Sequence, residues 1–184
     1  YWDLTSTIYL SHLGENHLDY AASLCNLGNC YADIGDYTRA EEYYIEALRI
    51  YKTILGEEHS YHAGLLGNLG GMYIEIGDYA KAESYLLETL RIIKLTLGEN
   101  HLSNAITLNN LGALYSNMGD YSKAEPYYLE ALSIYKSILG ENHPNYAMSL
   151  SNLGVLYSSM SNYAKAEPYF VEGLKIEKIV LGEN

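Results

Sequence analysis

The sequence repeats itself with a period of 42 residues, and this period constrains the fold more than any other feature. The string Asn-Leu-Gly recurs four times, and a tyrosine follows each of its glycines by three positions. The glycines of these strings are Gly28, Gly70, Gly112 and Gly154. A unit this short cannot bury a hydrophobic core by itself, so it must stack against its neighbours. The period therefore predicts a repeat array in place of a single globular core.

The string Leu-Gly-Glu marks the start of each unit and sets the predicted boundaries. It begins at Leu13, Leu55, Leu97, Leu139 and Leu181. We predict one continuous solenoid of four repeats, over residues 13–54, 55–96, 97–138 and 139–184, the last of which ends in a cut loop. Residues 1–12 align with the end of a repeat, so we expect a remnant of the second helix of a preceding repeat there. Both ends are expected to be cuts in a longer array.

The charge of the chain narrows the class of partner. Its 184 residues carry a formal net charge of −12, and the pI is near 4.8. Binding to nucleic acid or to anionic lipid needs clustered lysine and arginine. No apolar run approaches the ~20 residues of a membrane-spanning helix. We therefore predict a protein or peptide ligand, with neither nucleic acid nor a membrane as partner.

The two cysteines indicate a cellular compartment. Cys25 and Cys30 stand five residues apart on one predicted helix, so their side chains point in well-separated directions. An internal disulfide is therefore not expected. Free thiols suit a reducing compartment, and we predict a cytoplasmic location.

Apolar residues recur at helical spacing twice in each unit. In the first repeat they predict helices over roughly residues 18–34 and 38–55. Glycine follows both helices in most repeats, at a position where a left-handed residue ends a helix without steric penalty. The fourth repeat has Ser161 in place of the first of these glycines, so we expect its turn to be the least regular.

Polar residues are placed to begin the second helix of each repeat. The predicted N-caps are Asp36, Asp78, Asp120 and Asn162. Thr38 with Glu41, and Ser122 with Glu125, also fit a capping box. The sequence thus predicts both ends of the second helices.

Gly28 lies on the apolar face of the predicted first helix, and Ala40 lies on the apolar face of the second. Glycine in a helix interior costs about 1 kcal/mol relative to alanine, and small residues let two helices approach closely. We therefore predict a close contact at Gly28 and its copies. Sixteen of the 21 tyrosines lie in or flank repeating columns, and we predict that these fill the core. We expect the basic residues that begin the second helices to pair with nearby glutamates, and these residues are Arg39, Lys81, Lys123 and Lys165.

Six columns of the unit resemble the tetratricopeptide repeat signature. In repeat 1 they are Leu27, Gly28, Tyr31, Ala40, Tyr44 and Ala47. The 42-residue length, with the motifs at 139–144 and 109–112, resembles the repeats of kinesin light chains and their bacterial relatives. The resemblance implies an all-α fold, a right-handed α-solenoid of antiparallel helical hairpins. Its first helices would line a concave groove that takes extended peptides.

The resemblance also implies a role for the asparagine before each leucine-glycine pair, which helps to hold peptide backbone in the light-chain family. The matching residues are Asn26, Asn68, Asn110 and Asn152. A primary amide carries a donor and an acceptor, as a peptide unit does, so it suits an extended chain of any sequence. Alternatively, these amides bridge adjacent helices and never contact a ligand. The pattern leaves both readings open.

Helical spacing from the asparagine column, and one second-helix position, add further groove residues. These are Asn29, Asn109, Asp33, Glu75, Tyr51 and Tyr135. The light chains use arginine and lysine to read acidic motifs, but none of the inferred groove positions here is basic. Cys25 and Asp33 stand where the clamps for chaperone tails carry lysine. We therefore predict a neutral or basic, partly apolar peptide segment as the ligand.

A histidine precedes each predicted first helix, in the column His17, His59, His101 and His143. Copies on successive repeats stand roughly 10 Å apart. The ligands of one metal ion lie only about 2 Å from it, so we predict loop packing for this column. No phosphate loop or nucleophile elbow is present. We predict a protein without enzymatic activity, cofactor or metal.

Three functions are compatible with these patterns. The first is an interaction scaffold that binds an extended, neutral or basic peptide in the groove. The second is a structural segment that self-associates end to end. The third is the regulatory arm of a larger effector protein, as in similar bacterial arrays.

Overall fold

The computed structural model describes residues 16–181, which form eight α-helices and no β-strand. The helices are α1 (Leu18–Asp33), α2 (Tyr37–Leu55), α3 (Ser60–Ile76), α4 (Tyr79–Leu97), α5 (Leu102–Asn117), α6 (Tyr121–Leu139), α7 (Pro144–Ser159) and α8 (Tyr163–Leu181). The all-α class of helical hairpins is therefore confirmed. The helix remnant predicted for residues 1–12 lies outside the described residues.

The chain divides into two compact units, unit 1 over Tyr1–Thr96 and unit 2 over Leu97–Asn184. In unit 1, α1 packs along α2, and α3 packs on both α1 and α2. In unit 2, α5 packs along α6 and α7 along α8, while α7 also packs on α5 and α6. A cluster within unit 1 shows how two hairpins share a core, and its members are Ala63, Leu66, Ile92 and Ile93, with Leu48 and Tyr85 packed against them. Each unit is thus a pair of stacked hairpins.

The N-caps of the second helices form as predicted. Asp36 Oδ1 accepts a hydrogen bond from the backbone N–H of Arg39 at 3.2 Å, and Asp78, Asp120 and Asn162 accept the equivalent bond. Each side chain satisfies one of the backbone donors that a helix leaves free at its start.

The predicted capping boxes are wrong, because their glutamates bind elsewhere. Glu41 accepts a hydrogen bond from the Tyr73 hydroxyl of the following hairpin. Glu125 accepts the same bond from Tyr157 at 2.6 Å. These carboxylates therefore link two hairpins and do not close the start of their own helix.

The turn at Ser161 is as regular as its glycine counterparts, so the expectation of an irregular turn is wrong. Ser161 adopts the left-handed conformation with φ of 58°, where Gly35 has φ of 80°. The N–H of Ser161 donates to Ser158 O at 2.9 Å, the distance that joins Gly35 N to Ala32 O. The packed hairpin holds Ser161 in this conformation although it costs an L-residue roughly 1–2 kcal/mol.

The close contacts at the helical glycines are confirmed, and a side chain makes each of them. A Cβ added at Gly28 would lie 2.5 Å from the Tyr44 ring, and one added at Gly70 would lie 2.6 Å from Leu86 Cγ. Tyr128 and Phe170 cover Gly112 and Gly154 at 2.6 and 2.7 Å. The glycines therefore make room for a large side chain of the second helix, and the helix backbones need not touch.

Most of the basic residues that begin the second helices pair with aspartate. Arg39 bonds to Asp36, and Lys81 and Lys123 pair with the N-cap aspartates of their own helices. Only Lys165 pairs with a glutamate as predicted, Glu125 at 2.9 Å. The aspartate is the partner of the basic residue because it caps the helix turn on which that residue lies.

Each of these cations also lies over a tyrosine pair. The Arg39 guanidinium is 4.3 Å from the centre of the Tyr31 ring, which stacks on Tyr43 at 5.4 Å. The same arrangement recurs in the other three hairpins. Such stacks add cation–π attraction to the packing of each hairpin.

The histidine column caps the first helices. Each Nδ1 accepts a hydrogen bond from the backbone N–H two residues later, at 3.1–3.2 Å. The residues are His17, His59, His101 and His143. The sequence predicted only loop packing here, because histidine is not among the residues usually preferred at N-caps.

Candidate functional site

An amide pair joins α1 to α3 in unit 1. Asn68 Nδ2 donates a hydrogen bond to Asn29 Oδ1 at 3.1 Å. The Tyr44 hydroxyl donates to the same oxygen at 2.7 Å. Burial raises the pKa of Tyr44 to about 12, so this hydroxyl remains a donor at neutral pH. Two donors therefore fix the orientation of the Asn29 amide.

A second amide pair joins α5 to α7 in unit 2. Asn152 Nδ2 donates to Asn109 Oδ1 at 2.9 Å. The acceptor stands at a different position of the unit from Asn29, one place before the asparagine column and not three places after it. The bridging alternative is therefore observed for Asn68 and for Asn152. Asn26 and Asn110 occupy the matching positions of α1 and α5.

The bridges leave hydrogen-bonding capacity unused. A primary amide has two N–H donors and one oxygen acceptor. Each bridge engages the nitrogen of one amide and the oxygen of the other. Asn68 Oδ1 and Asn29 Nδ2 remain, both on exposed side chains, and Asn152 Oδ1 and Asn109 Nδ2 remain on half-buried ones. Counting the second N–H of the donating amide, each pair thus still offers one acceptor oxygen and three N–H donors.

We call the exposed surface around Asn29 and Asn68 the asparagine face of unit 1, and that around Asn109 and Asn152 the asparagine face of unit 2. Asp33 is the last residue of α1, and it is exposed. Glu75 is the last residue but one of α3, and it is also exposed. Both lie on helices that carry the face of unit 1.

The structure places the two predicted groove tyrosines in the core. Tyr51 is 7% exposed and Tyr135 is 1% exposed. Burial raises the pKa of Tyr51 to about 12 and raises that of Tyr135. Burial also raises the pKa of the Cys25 thiol to about 11, although its hydrogen bond with Tyr51 lowers it. Both tyrosines are buried, so they are not accessible to a ligand on the surface.

Sequence reasoning missed the pairing partners of the asparagine column. The positions equivalent to Asn29 in the other repeats are Gly71, Ala113 and Val155. The partner residue therefore does not recur from repeat to repeat. A search for recurring residues does not find it. The combination of Asn29 with Tyr44 was the available signal, because a buried tyrosine hydroxyl needs an acceptor.

Family models match most of the chain. One tetratricopeptide repeat model matches residues 61–137 and again 107–178, and another matches residues 21–61. The chain belongs to the tetratricopeptide repeat family. Its repeats are of the kinesin light chain-like type. Tetratricopeptide repeats are protein-interaction modules that are generally non-enzymatic, so proteins are the class of partner that the family indicates.

Solved structures with similar folds agree with this assignment. BtubC (BKLC) from P. vanneervenii is 26% identical with a TM-score of 0.80, over 91% of this chain and 67% of that one. A putative kinesin light chain with TPR-like repeats from Podosopora anserina is 21% identical with a TM-score of 0.74, over 97% and 85%. Aspartyl phosphate phosphatase F from Bacillus subtilis is 15% identical with a TM-score of 0.78, over 89% and 41%. The last two show the fold alone. No curated protein matches the sequence significantly.

The part of the chain that the structure describes contains neither a membrane-spanning helix nor a cluster of metal ligands. No helix within residues 18–181 is both long and apolar enough to cross a membrane. Within the same part of the chain, no three His, Cys, Asp or Glu side chains are grouped so that they could hold a metal ion.

Proposed function

We propose that the chain is a protein-interaction scaffold that binds an extended, neutral or basic peptide segment on its asparagine faces. The observation that carries the proposal is the bridged amide pair, which keeps one acceptor oxygen and three N–H donors free after the bridge has formed. An extended peptide presents one N–H and one C=O per residue. Each pair can therefore hold one peptide unit by two hydrogen bonds.

The bridge favours binding because it orients the amides in advance. An exposed asparagine that is free to rotate loses side-chain entropy when a ligand arrives. Asn68 is already held by Asn29, and Asn29 is held again by Tyr44. An asparagine can therefore both bridge two helices and bind a ligand. The hydrogen bond of the bridge holds the amide in place, and its remaining groups bind the ligand.

The charge of the first helices supports a neutral or basic ligand. The helices α1, α3, α5 and α7 contain no lysine or arginine. An acidic segment would find no counter-charge on these helices. Hydrogen bonds to its backbone alone would have to offset the repulsion from a chain of net charge −12.

Self-association is the second candidate, and exposed apolar side chains on α8 favour it. Phe170 and Leu174 are 40% and 54% exposed. At the matching position of α6, on which α7 packs, Tyr128 is 5% exposed. Light scattering of the full chain over a hundredfold range of concentration tests this candidate. A constant monomer mass would exclude it.

Binding tests the scaffold proposal directly. Decapeptides are selected from a random library on the full chain, and their affinities are measured by fluorescence polarisation. A net hydrogen bond contributes about 1 kcal/mol, so loss of two bonds weakens binding roughly tenfold or more. We expect this loss for peptides bound to unit 1 in the variant Asn29→Ala with Asn68→Ala. Peptides bound to unit 2 are expected to lose it with Asn109→Ala and Asn152→Ala.

Exposed loop asparagines give the matched control. Asn100→Ala with Asn142→Ala removes two amides outside both faces, and we expect affinity to change less than twofold. Methylation of single backbone nitrogens in the peptide tests the same contacts from the ligand side, with a loss expected at the residue held by the pair. Full affinity in both face variants, or in every methylated peptide, would contradict the proposal.

A further inference from the structure

The two asparagine faces are equivalent in fold but differ in charge. The helices α1 and α3 carry three carboxylates, Asp19, Asp33 and Glu75, and all three are exposed. The helices α5 and α7 carry no charged residue. All eleven lysines and arginines lie on the second helices of the hairpins. Unit 1 therefore presents an acidic face and unit 2 a neutral one.

Asp33 and Glu75 stand where a helix least favours them. The C-terminal end of a helix carries a partial negative charge, so a carboxylate there is destabilised and a cation is stabilised. The last turns of α1 and α3 contain no basic residue. Among the described residues, neither carboxylate has a cation within salt-bridge distance. The two carboxylates therefore destabilise their helices in the free protein. A cationic group of a ligand would remove this destabilisation when it binds.

The acids of the second helices show the contrast. Asp36, the N-cap of α2, pairs with Arg39, and Glu46 and Glu88 each pair with an arginine of their own helix. In these pairs, the attraction between the carboxylate and the arginine stabilises the helix. The fold therefore supplies cations to these three acids, and it supplies none to the acids at the ends of α1 and α3.

We infer that the asparagine face of unit 1 recognises lysine or arginine side chains of the bound segment, and that the face of unit 2 takes uncharged residues. The inference rests on the proposed function. Asp33 lies one turn beyond Asn29 on the same side of α1, about 6 Å along the axis. Glu75 lies two turns beyond Asn68, about 10 Å along α3. A long basic side chain on the residue held by the pair spans the shorter distance to Asp33, and one on the next residues of the extended peptide, each about 3.3 Å farther along, comes within reach of Glu75.

Unit 2 replaces both acids. Asn117 and Ser159 stand at the positions of Asp33 and Glu75. Apolar side chains lie instead beside the amide pair, and the exposed ones are Ile106, Met148 and Val155, at 50%, 44% and 53% exposure. A charged ligand side chain would lose water there without gaining a partner. An apolar side chain would cover this surface, so the two units select different residues.

Three labelled decapeptides test the inference on the full chain. They share a glycine-serine background and carry three lysines, three glutamates or three leucines. We expect the lysine peptide to bind more tightly than the glutamate peptide. Asp33→Asn with Glu75→Gln is expected to weaken the lysine peptide about fivefold to tenfold at low salt and to leave the leucine peptide unchanged. Both replacements are isosteric and exposed, so the fold is retained, and circular dichroism checks this.

The matched control changes the net charge by the same amount elsewhere. Glu42→Gln with Glu167→Gln neutralises two exposed acids on α2 and α8, and we expect lysine-peptide affinity within twofold of wild type. Equal weakening by this control, or no weakening by the Asp33 and Glu75 changes, would overturn the inference. So would the absence of lysine-peptide binding at millimolar concentration, or equal binding of the glutamate peptide.

The amide variant separates the two proposals. If Asn29→Ala with Asn68→Ala abolishes lysine-peptide binding while the acid variant leaves it intact, the proposed function stands and the inference fails. If lysine-peptide binding survives loss of the amide pair, the proposed function fails for unit 1, whatever the acids do.

Discussion

Two adjacent glycines of α3 allow the packing to be tested with an internal control. Gly70 and Gly71 lie in the middle of the same helix, so replacement by alanine gains the same helix propensity at both, about 1 kcal/mol. Their surroundings differ. A Cβ at Gly71 would meet nothing within 4 Å, whereas a Cβ at Gly70 would lie 2.6 Å from Leu86 Cγ and 2.8 Å from Leu86 Cδ2.

The structure decides the sign of each change. Leu86 is fully buried, so it cannot swing into solvent to make room. Overpacking of this kind costs typically 1–3 kcal/mol. We expect Gly71→Ala to raise the free energy of unfolding by about 1 kcal/mol. Gly70→Ala is expected to lower it by about 1 kcal/mol, because the clash exceeds the propensity gain. The difference between the variants, about 2 kcal/mol, is the clash alone.

Urea denaturation followed by circular dichroism measures both variants against wild type. For a chain of this size the two melting temperatures would differ by roughly 4–8 °C. Gly70→Ala in a Leu86→Ala background removes the obstructing atoms, and there the alanine is expected to become stabilising. Equal stability of Gly70→Ala and Gly71→Ala would refute the explanation that the recurring glycines make space for a second-helix side chain.

Three further perturbations test the helix ends and a buried histidine. Ser161→Gly relieves a left-handed serine and is expected to raise the unfolding free energy by about 0.5–1 kcal/mol, while Gly119→Ser lowers it by a similar amount, both measured by urea denaturation. His143→Ala removes the cap of α7 and is expected to cost about 0.5–2 kcal/mol, whereas His143→Asn retains most of it; equal losses in a thermal melt would contradict the capping role. Burial lowers the pKa of His62, so its contribution to stability is present above the unfolded pKa and is lost as pH falls through the folded one. The variant His62→Asn carries the residue that stands at the equivalent position of the next repeat, Asn104. We expect its free energy of unfolding to change less between pH 7 and pH 5 than that of the wild type. An equal change in both proteins would show that other groups cause the pH dependence.

The elements that depend on neighbours in sequence were predictable. The helical spacing of apolar residues predicted α1 and α2 to within one residue at each end. Asp36 was predicted as an N-cap because its acceptor is only three residues from the donor it satisfies. The turn at Ser161 shows the limit of this reasoning, since the residue alone disfavours a conformation that the packed hairpin imposes.

The candidate site was predictable only in part. The asparagine column was found from its period and from the resemblance to light chains, and Asn68 and Asn152 do lie on the first helices of their hairpins. Their partners were not found. Tyr51 was predicted to line the groove because of its position in the repeat, yet its side chain is buried. The direction of a side chain depends on how the two helices of the hairpin are rotated relative to each other, and the sequence position alone does not give this rotation.

The sequence by itself determined the family, the two helices of each repeat and the positions of the glycines at close contacts, because local spacing encodes all of these. Only the tertiary structure decided which groups meet across hairpins. The amide bridges join residues 39 and 43 positions apart, and the tyrosine–glutamate bonds join residues 32 apart. Such contacts depend on the distance between packed helices and on their rotation about their axes. The spacing of residues in the sequence specifies neither quantity.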